Sequence, residues 1–120
     1  MKANPSAPSN KEHVVSEWIE VARAGSLAPG EHVVVDVDGI DVAVFNIEGE
    51  YLAIQDACTH DGTEIASGVI EGGEIVCPRH GARFCLRSGK VLAPPAYEDI
   101  DTYPVRVAEG RIQVGNQPND

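Results

Sequence analysis

His32-Val33-Val34-Val35-Asp36-Val37, then Asp38-Gly39, then Ile40-Asp41-Val42-Ala43-Val44-Phe45-Asn46-Ile47 is the stretch that decides the fold class. Two runs rich in β-branched residues flank an Asp-Gly pair. A type I′ turn needs positive φ at both central residues, which Asp-Gly tolerates well, so the pattern predicts a hairpin. Glu48-Gly49 predicts a second turn, and Tyr51-Leu52-Ala53-Ile54-Gln55 a third strand. Three strands joined by tight turns form a meander.

The same reading extends in both directions. Upstream, Val14 to Val21 around Trp18 predicts a strand at the edge of the domain, followed by turn signals at Gly25, Pro29 and Gly30. Downstream, a loop opens near Asp56, and short β pieces are expected at Val69-Ile70 and Glu74-Ile75-Val76, split by Gly72-Gly73. Arg83-Phe84-Cys85-Leu86 predicts another strand, with a turn at Ser88-Gly89 and a loop at Pro94-Pro95. One strand is expected over Thr102–Val107, then a Glu109-Gly110 turn and a last strand over Arg111–Val114. No window holds helical periodicity. The expectation is one all-β domain over 13–115, an antiparallel sandwich or barrel, with a flexible leader at 1–12 and a tail at 116–120.

Composition narrows the function classes. A chain of 120 residues suits one domain with a real core, independent of disulfides. Nine basic against 19 acidic residues give a formal net charge of −10, which disfavours nucleic acid and anionic lipid as partners. Such acidity can steer a protein toward a basic docking patch. No stretch approaches the roughly 18 apolar residues of a membrane span, and the N-terminus lacks a signal-peptide core. A cytoplasmic location is expected, where the three cysteines stay as thiols or metal ligands.

The chemistry sits in Cys58-Thr59-His60 and Cys77-Pro78-Arg79-His80, that is C-x-H, sixteen residues, then C-x-x-H. An isolated histidine is usually an ordinary polar residue, and His13 and His32 are read so. His60 and His80 each follow a cysteine within three residues, which points to metal ligation. Zinc accepts two thiolates and two imidazoles, but zinc fingers pair Cys with Cys and His with His along the chain. Here the types alternate within each cluster, which suits two irons, each loop giving one ligand to each. A structural zinc module used for protein interaction remains the alternative.

C-T-H-x-G, then C-P-x-H-G-A-x-F, then S-G-K with a following Pro-Pro pair resembles the Rieske ferredoxins, over about Cys58 to Pro95. The resemblance implies a Rieske-like fold with a small cluster-binding subdomain of two loops, and one [2Fe–2S] cluster. Cys58 and Cys77 would ligate one iron, His60 and His80 the other. Gly62, Pro78, Gly81 and Phe84 would surround the cluster, the two glycines letting backbone N–H groups approach its sulfurs. It further implies a one-electron carrier, catalysing nothing itself, between a flavoprotein reductase and a terminal non-haem iron oxygenase. A nitrite-reductase small subunit or a ferredoxin of iron–sulfur assembly is the alternative within the family. A monomer is expected.

Departures from relatives also inform the reading. High-potential Rieske proteins place a disulfide where this chain has Thr63 and Arg79, and hydroxyl donors where it has Ala82 and Phe84. With fewer donors toward the cluster, the expected potential is near the low end of the Rieske range, roughly −150 mV. Many relatives carry Asp where Cys85 stands, and a buried inert thiol is expected there. Arg79 and Arg83 flank His80 as candidate docking charges.

Overall fold

The computed structural model describes residues 15–119. Eleven strands make three antiparallel sheets, and among the described residues there is no helix. The first sheet holds β1 (Trp18–Arg23), β11 (Arg111–Gly115) and β10 (Val105–Ala108), in that order. The second holds β2 (His32–Val37), β3 (Ile40–Ile47), β4 (Glu50–Gln55) and β9 (Thr102–Tyr103). The third, a smaller unit, holds β5 (Ile70–Glu71), β6 (Glu74–Val76), β7 (Arg83–Cys85) and β8 (Val91–Ala93).

The meander forms as expected. Asp38 and Gly39 have φ of 53° and 89°, and Glu48 and Gly49 repeat this at 53° and 94°. Both central residues are thus left-handed, which matches the right-handed twist of the flanking strands. β1 occupies an edge but begins at Trp18; the expected start at Val14 lies outside the described residues, as does the leader at 1–12.

β3 explains how one chain supports two cores. Val42, Ala43, Val44 and Phe45 are all fully buried, so the apolar run is continuous where an ordinary half-buried strand would alternate. The alternation survives in direction. Val42 and Val44 join Val37, Ala53, Ile112 and Val114 in the core between the two larger sheets. Ala43 and Phe45 point the other way, with Ile54, into a second core that contains Ile75, Phe84, Cys58 and Cys77. Each Val, Ile or Phe among them contributes about 1.5–3 kcal/mol on full burial. The meander is therefore both half of a sandwich and the floor of the metal-ligand loops.

Three boundaries differ from expectation. Thr102–Val107 is not one strand: β9 pairs with β4 and β10 with β11, and the break falls at Pro104. Proline has no N–H for a ladder, so the chain changes sheets there. β8 is a strand where only a loop was expected, pairing with β7 through Phe84↔Val91. The first short piece begins at Ile70, leaving Val69 exposed. Beyond β11, Asn116 bonds Ser16 and the Glu17 N–H, and Asn119 donates to Thr102.

Candidate metal centre

The loops between β4 and β5 and between β6 and β7 carry the four candidate ligands, and they share one backbone design. Cys58 N–H donates to Thr63 O at 2.8 Å, and Gly62 N–H donates to Cys58 O at 2.7 Å. In the second loop Cys77 N–H donates to Ala82 O at 2.7 Å, and Gly81 N–H to Cys77 O at 3.0 Å. Gly62 and Gly81 have φ of 79° and 80°, a region that L side chains avoid, so glycine closes each turn. Their own N–H groups are spent on these carbonyls, and the loop N–H groups expected to approach sulfur are supplied by neighbouring residues. The N–H groups of His60 and Asp61 do reach the Cys58 sulfur.

The ligand types separate by depth. Cys58 and Cys77 are each 1% exposed, unbridged, and close enough for their thiols to hydrogen-bond. Burial, reinforced by the Cys77 thiol, pushes the Cys58 thiol above its ordinary range despite those N–H donors. A bound cation would reverse this by stabilising thiolate. His60 and His80 lie at the surface, with side chains 32% and 46% exposed and ring centroids 4.8 Å apart in a T-shaped arrangement. Among the described residues, the group of metal-ligating side chains whose donor atoms all lie within 4.8 Å is His60, Asp61 and His80, without a cysteine. A single tetrahedral zinc needs all four donors around one point. A sulfur pair beneath a nitrogen pair suits a two-metal group instead.

Supports that the sequence did not announce hold this arrangement. Asp56 Oδ1 accepts from the N–H groups of Ile65 and Ala66, both at 2.8 Å, fastening the first loop's return. The Thr59 hydroxyl donates to Glu98 O at 2.7 Å, tying that loop to the segment after Pro95. Asp61 Oδ1 accepts from the hydroxyl and N–H of Thr63, which hold its carboxyl below the ordinary range, with smaller help from His60 and His80. Asp61-Gly62-Thr63 is a turn-forming triplet, the one signal that could have drawn notice to it.

The remaining expected residues fall as follows. Phe84 is fully buried in the core shared with both cysteines, Ala82 is buried beside it, and Pro78 is exposed at the tip. Arg83 is engaged by Glu71 at 2.9 Å and Glu74 at 3.4 Å, so it is no free docking charge; Arg79 remains 62% exposed. Cys85 is not buried as expected. It is half-buried and opens a third turn of the same design, Cys85 N–H to Lys90 O and Gly89 N–H to Cys85 O. The Ser88 hydroxyl, then N–H groups of Ser88 and Arg87, draw its thiol below the ordinary value. It ends β7, at the end remote from the candidate ligands, since Val76↔Arg83 is the pair nearest them and Glu74↔Cys85 the farthest.

A cleft of about 420 Å³ beside the His60 imidazole is lined by Thr59, His60, Pro95, Tyr97 and Glu98.

Comparison with known proteins agrees with this geometry. A family model described as Rieske [2Fe-2S] domain matches residues 17–104. The ferredoxin component of the naphthalene 1,2-dioxygenase/salicylate 5-hydroxylase systems of a Ralstonia species is 37% identical over 101 residues, covering 84% of this chain and 97% of the relative. The solved ferredoxin of carbazole 1,9a-dioxygenase from Nocardioides aromaticivorans IC177 superposes with a TM-score of 0.78 at 33% identity, covering 83% of this chain and 98% of that one. A chain from the complex of reduced oxygenase and oxidised ferredoxin in carbazole 1,9a-dioxygenase gives 0.81 at 28% identity, covering 86% and 96%. The chain belongs to the family of Rieske [2Fe–2S] domains, and is an electron-transfer protein of the ferredoxin kind with one cluster of that type.

Proposed function

We propose that this chain is the ferredoxin component of a multicomponent aromatic-ring oxygenase system, taking single electrons from a flavoprotein reductase and passing them to a terminal non-haem iron oxygenase. Cys58 and Cys77 hold one iron in this reading, and His60 and His80 the other. The observation that carries it is the separation by depth: a buried thiol pair beneath an exposed imidazole pair. The cluster, when bound, supplies a one-electron couple.

The residues of the chain do the rest. Phe84, Ala82 and Ile65, all fully buried, belong to the apolar core around the two cysteines. His60 and His80 present the outer edge, so a partner can approach the ligands without the domain opening. Pro78 stiffens the second loop, and Gly62 and Gly81 set the curvature of both. Asp61 and Glu98 at this edge, with the wider net charge of −10, favour basic docking surfaces. Among the described residues no helix is long and apolar enough to cross a membrane. A monomer working in the cytoplasm fits this role.

The test is an absorption and EPR spectrum before and after anaerobic reduction, followed by a redox titration. The reading expects a red-brown protein, a rhombic low-average-g signal on reduction, and a midpoint near the low end of the Rieske range, roughly −150 mV. A colourless protein that binds zinc without sulfide overturns it. So does a midpoint above about +100 mV, in the upper part of that range.

A further inference from the structure

The Asp61 carboxylate is aimed by its own loop. Oδ1 accepts from the Thr63 hydroxyl at 2.7 Å and from the Thr63 N–H at 3.1 Å. This leaves Oδ2 facing both imidazoles, 3.9 Å from His60 Nδ1 and 3.6 Å from His80 Nδ1. Among the described residues, the other charge facing it is Arg79, whose Nε lies 4.0 Å away on a side chain 62% exposed. Water screens that guanidinium strongly; the Asp61 side chain, also at the surface, is 26% exposed and is screened less.

We propose that Asp61, oriented by Thr63, is a fixed anion that lowers the reduction potential of the centre from its histidine side. The inference rests on the ligand assignment proposed above. Two ferric ions, two sulfides and two thiolates with neutral imidazoles sum to zero, so reduction creates a net negative charge. A carboxylate held against the imidazoles repels that charge and leaves the neutral oxidised form nearly untouched. The chain is thereby a stronger reductant than its four ligands alone make it. Thr63 stands where high-potential relatives carry a cysteine; here it serves to point the carboxylate.

The rival account is that Asp61 merely closes the turn. Asp61→Asn separates the two, because the amide oxygen can still accept both bonds from Thr63 while the charge is lost. Voltammetry of the loaded protein is expected to show the reduction equilibrium favoured about tenfold, which is about 59 mV upward for a one-electron couple. Raised salt should shrink the difference. Glu109→Gln removes an equal charge at the remote β10–β11 turn and should leave the potential in place. Thr63→Val keeps the charge but frees the carboxylate, and should shift the potential upward by less than Asp61→Asn does.

An unmoved or lowered midpoint in Asp61→Asn, or an equal shift in Glu109→Gln, overturns the proposal. Should Asp61→Asn fail to take up a cluster, Thr63→Val decides, and an unchanged midpoint there overturns it. If the parent protein lacks the rhombic signal of a histidine-ligated centre, the ligand assignment itself falls, which is a different failure.

Discussion

Replacing Asp56 with alanine should loosen the first ligand loop far more than its distance along the chain suggests. One oxygen of Asp56 accepts from two backbone N–H groups, those of Ile65 and Ala66. Those residues are 0% and 3% exposed, so the variant leaves both donors buried and without water. A hydrogen bond to a charged group contributes about 1.5–3 kcal/mol; the low end suits a part-buried carboxylate, giving about 3 kcal/mol for the pair. Subtracted from the free energy of opening the loop, this multiplies the open population about 100-fold, at 1.4 kcal/mol per tenfold. Asp56→Asn keeps an oxygen for the same two donors and loses only charge, about 1 kcal/mol or about fivefold. The assay is the rate at which visible absorbance bleaches in mild guanidinium chloride under argon, with far-ultraviolet dichroism to confirm that the sheets persist. Bleaching of Asp56→Ala within about threefold of the parent, less than 1 kcal/mol, refutes the role assigned to this carboxylate. Equal rates for Asn and Ala would show that charge, not geometry, mattered.

Further outcomes rest on other parts of the fold. Gly89→Ala should destabilise strongly, by about 3 kcal/mol or more in thermal unfolding, because φ is +78° and a Cβ would stand 2.1 Å from Ile100 O. In the loaded protein at neutral pH, iodoacetamide should label Cys85 and spare Cys58 and Cys77, as peptide mass spectrometry would show. The Ser88 hydroxyl and the neighbouring N–H groups favour the Cys85 thiolate, and Ser88→Ala should slow its labelling. Glu64 is held below its ordinary range by the Ser67 hydroxyl and N–H. A depressed folded value means stability present above the unfolded carboxylate value and lost as pH falls through the folded one. Denaturation midpoints at pH 7 and pH 3 should therefore differ less in Glu64→Gln than in the parent.

The β architecture was legible because turn chemistry is local. Asp38-Gly39, Glu48-Gly49 and Glu109-Gly110 each need two left-handed residues, and each takes them. The candidate ligands were legible because a histidine within three residues of a cysteine, twice in one chain, seldom arises except around a metal. What escaped was long-range. Pro104 reads as a minor interruption along the chain, yet it divides one apparent strand between two sheets, and only the partners β4 and β11 reveal this. β8 is three residues long and drawn into a sheet by β7, so its own sequence carries little signal. Asp56 and Asp61 look like two more acids in an acidic chain. Their roles depend on which N–H groups the loop turns inward. Cys85 misled for a related reason, since strand burial suggested an inert thiol while the following turn surrounds it with donors.

The depth ordering of the ligands has a consequence for traffic. On the ligand assignment proposed above, an exposed histidine edge over a sealed cysteine floor makes that edge the natural doorway for electrons, in loading as in unloading. In the role proposed above, donor and acceptor would take turns on that surface. Throughput is governed by how quickly each partner lets go. Tight binding would stall such a courier, so brief, charge-guided encounters serve it better than durable embraces.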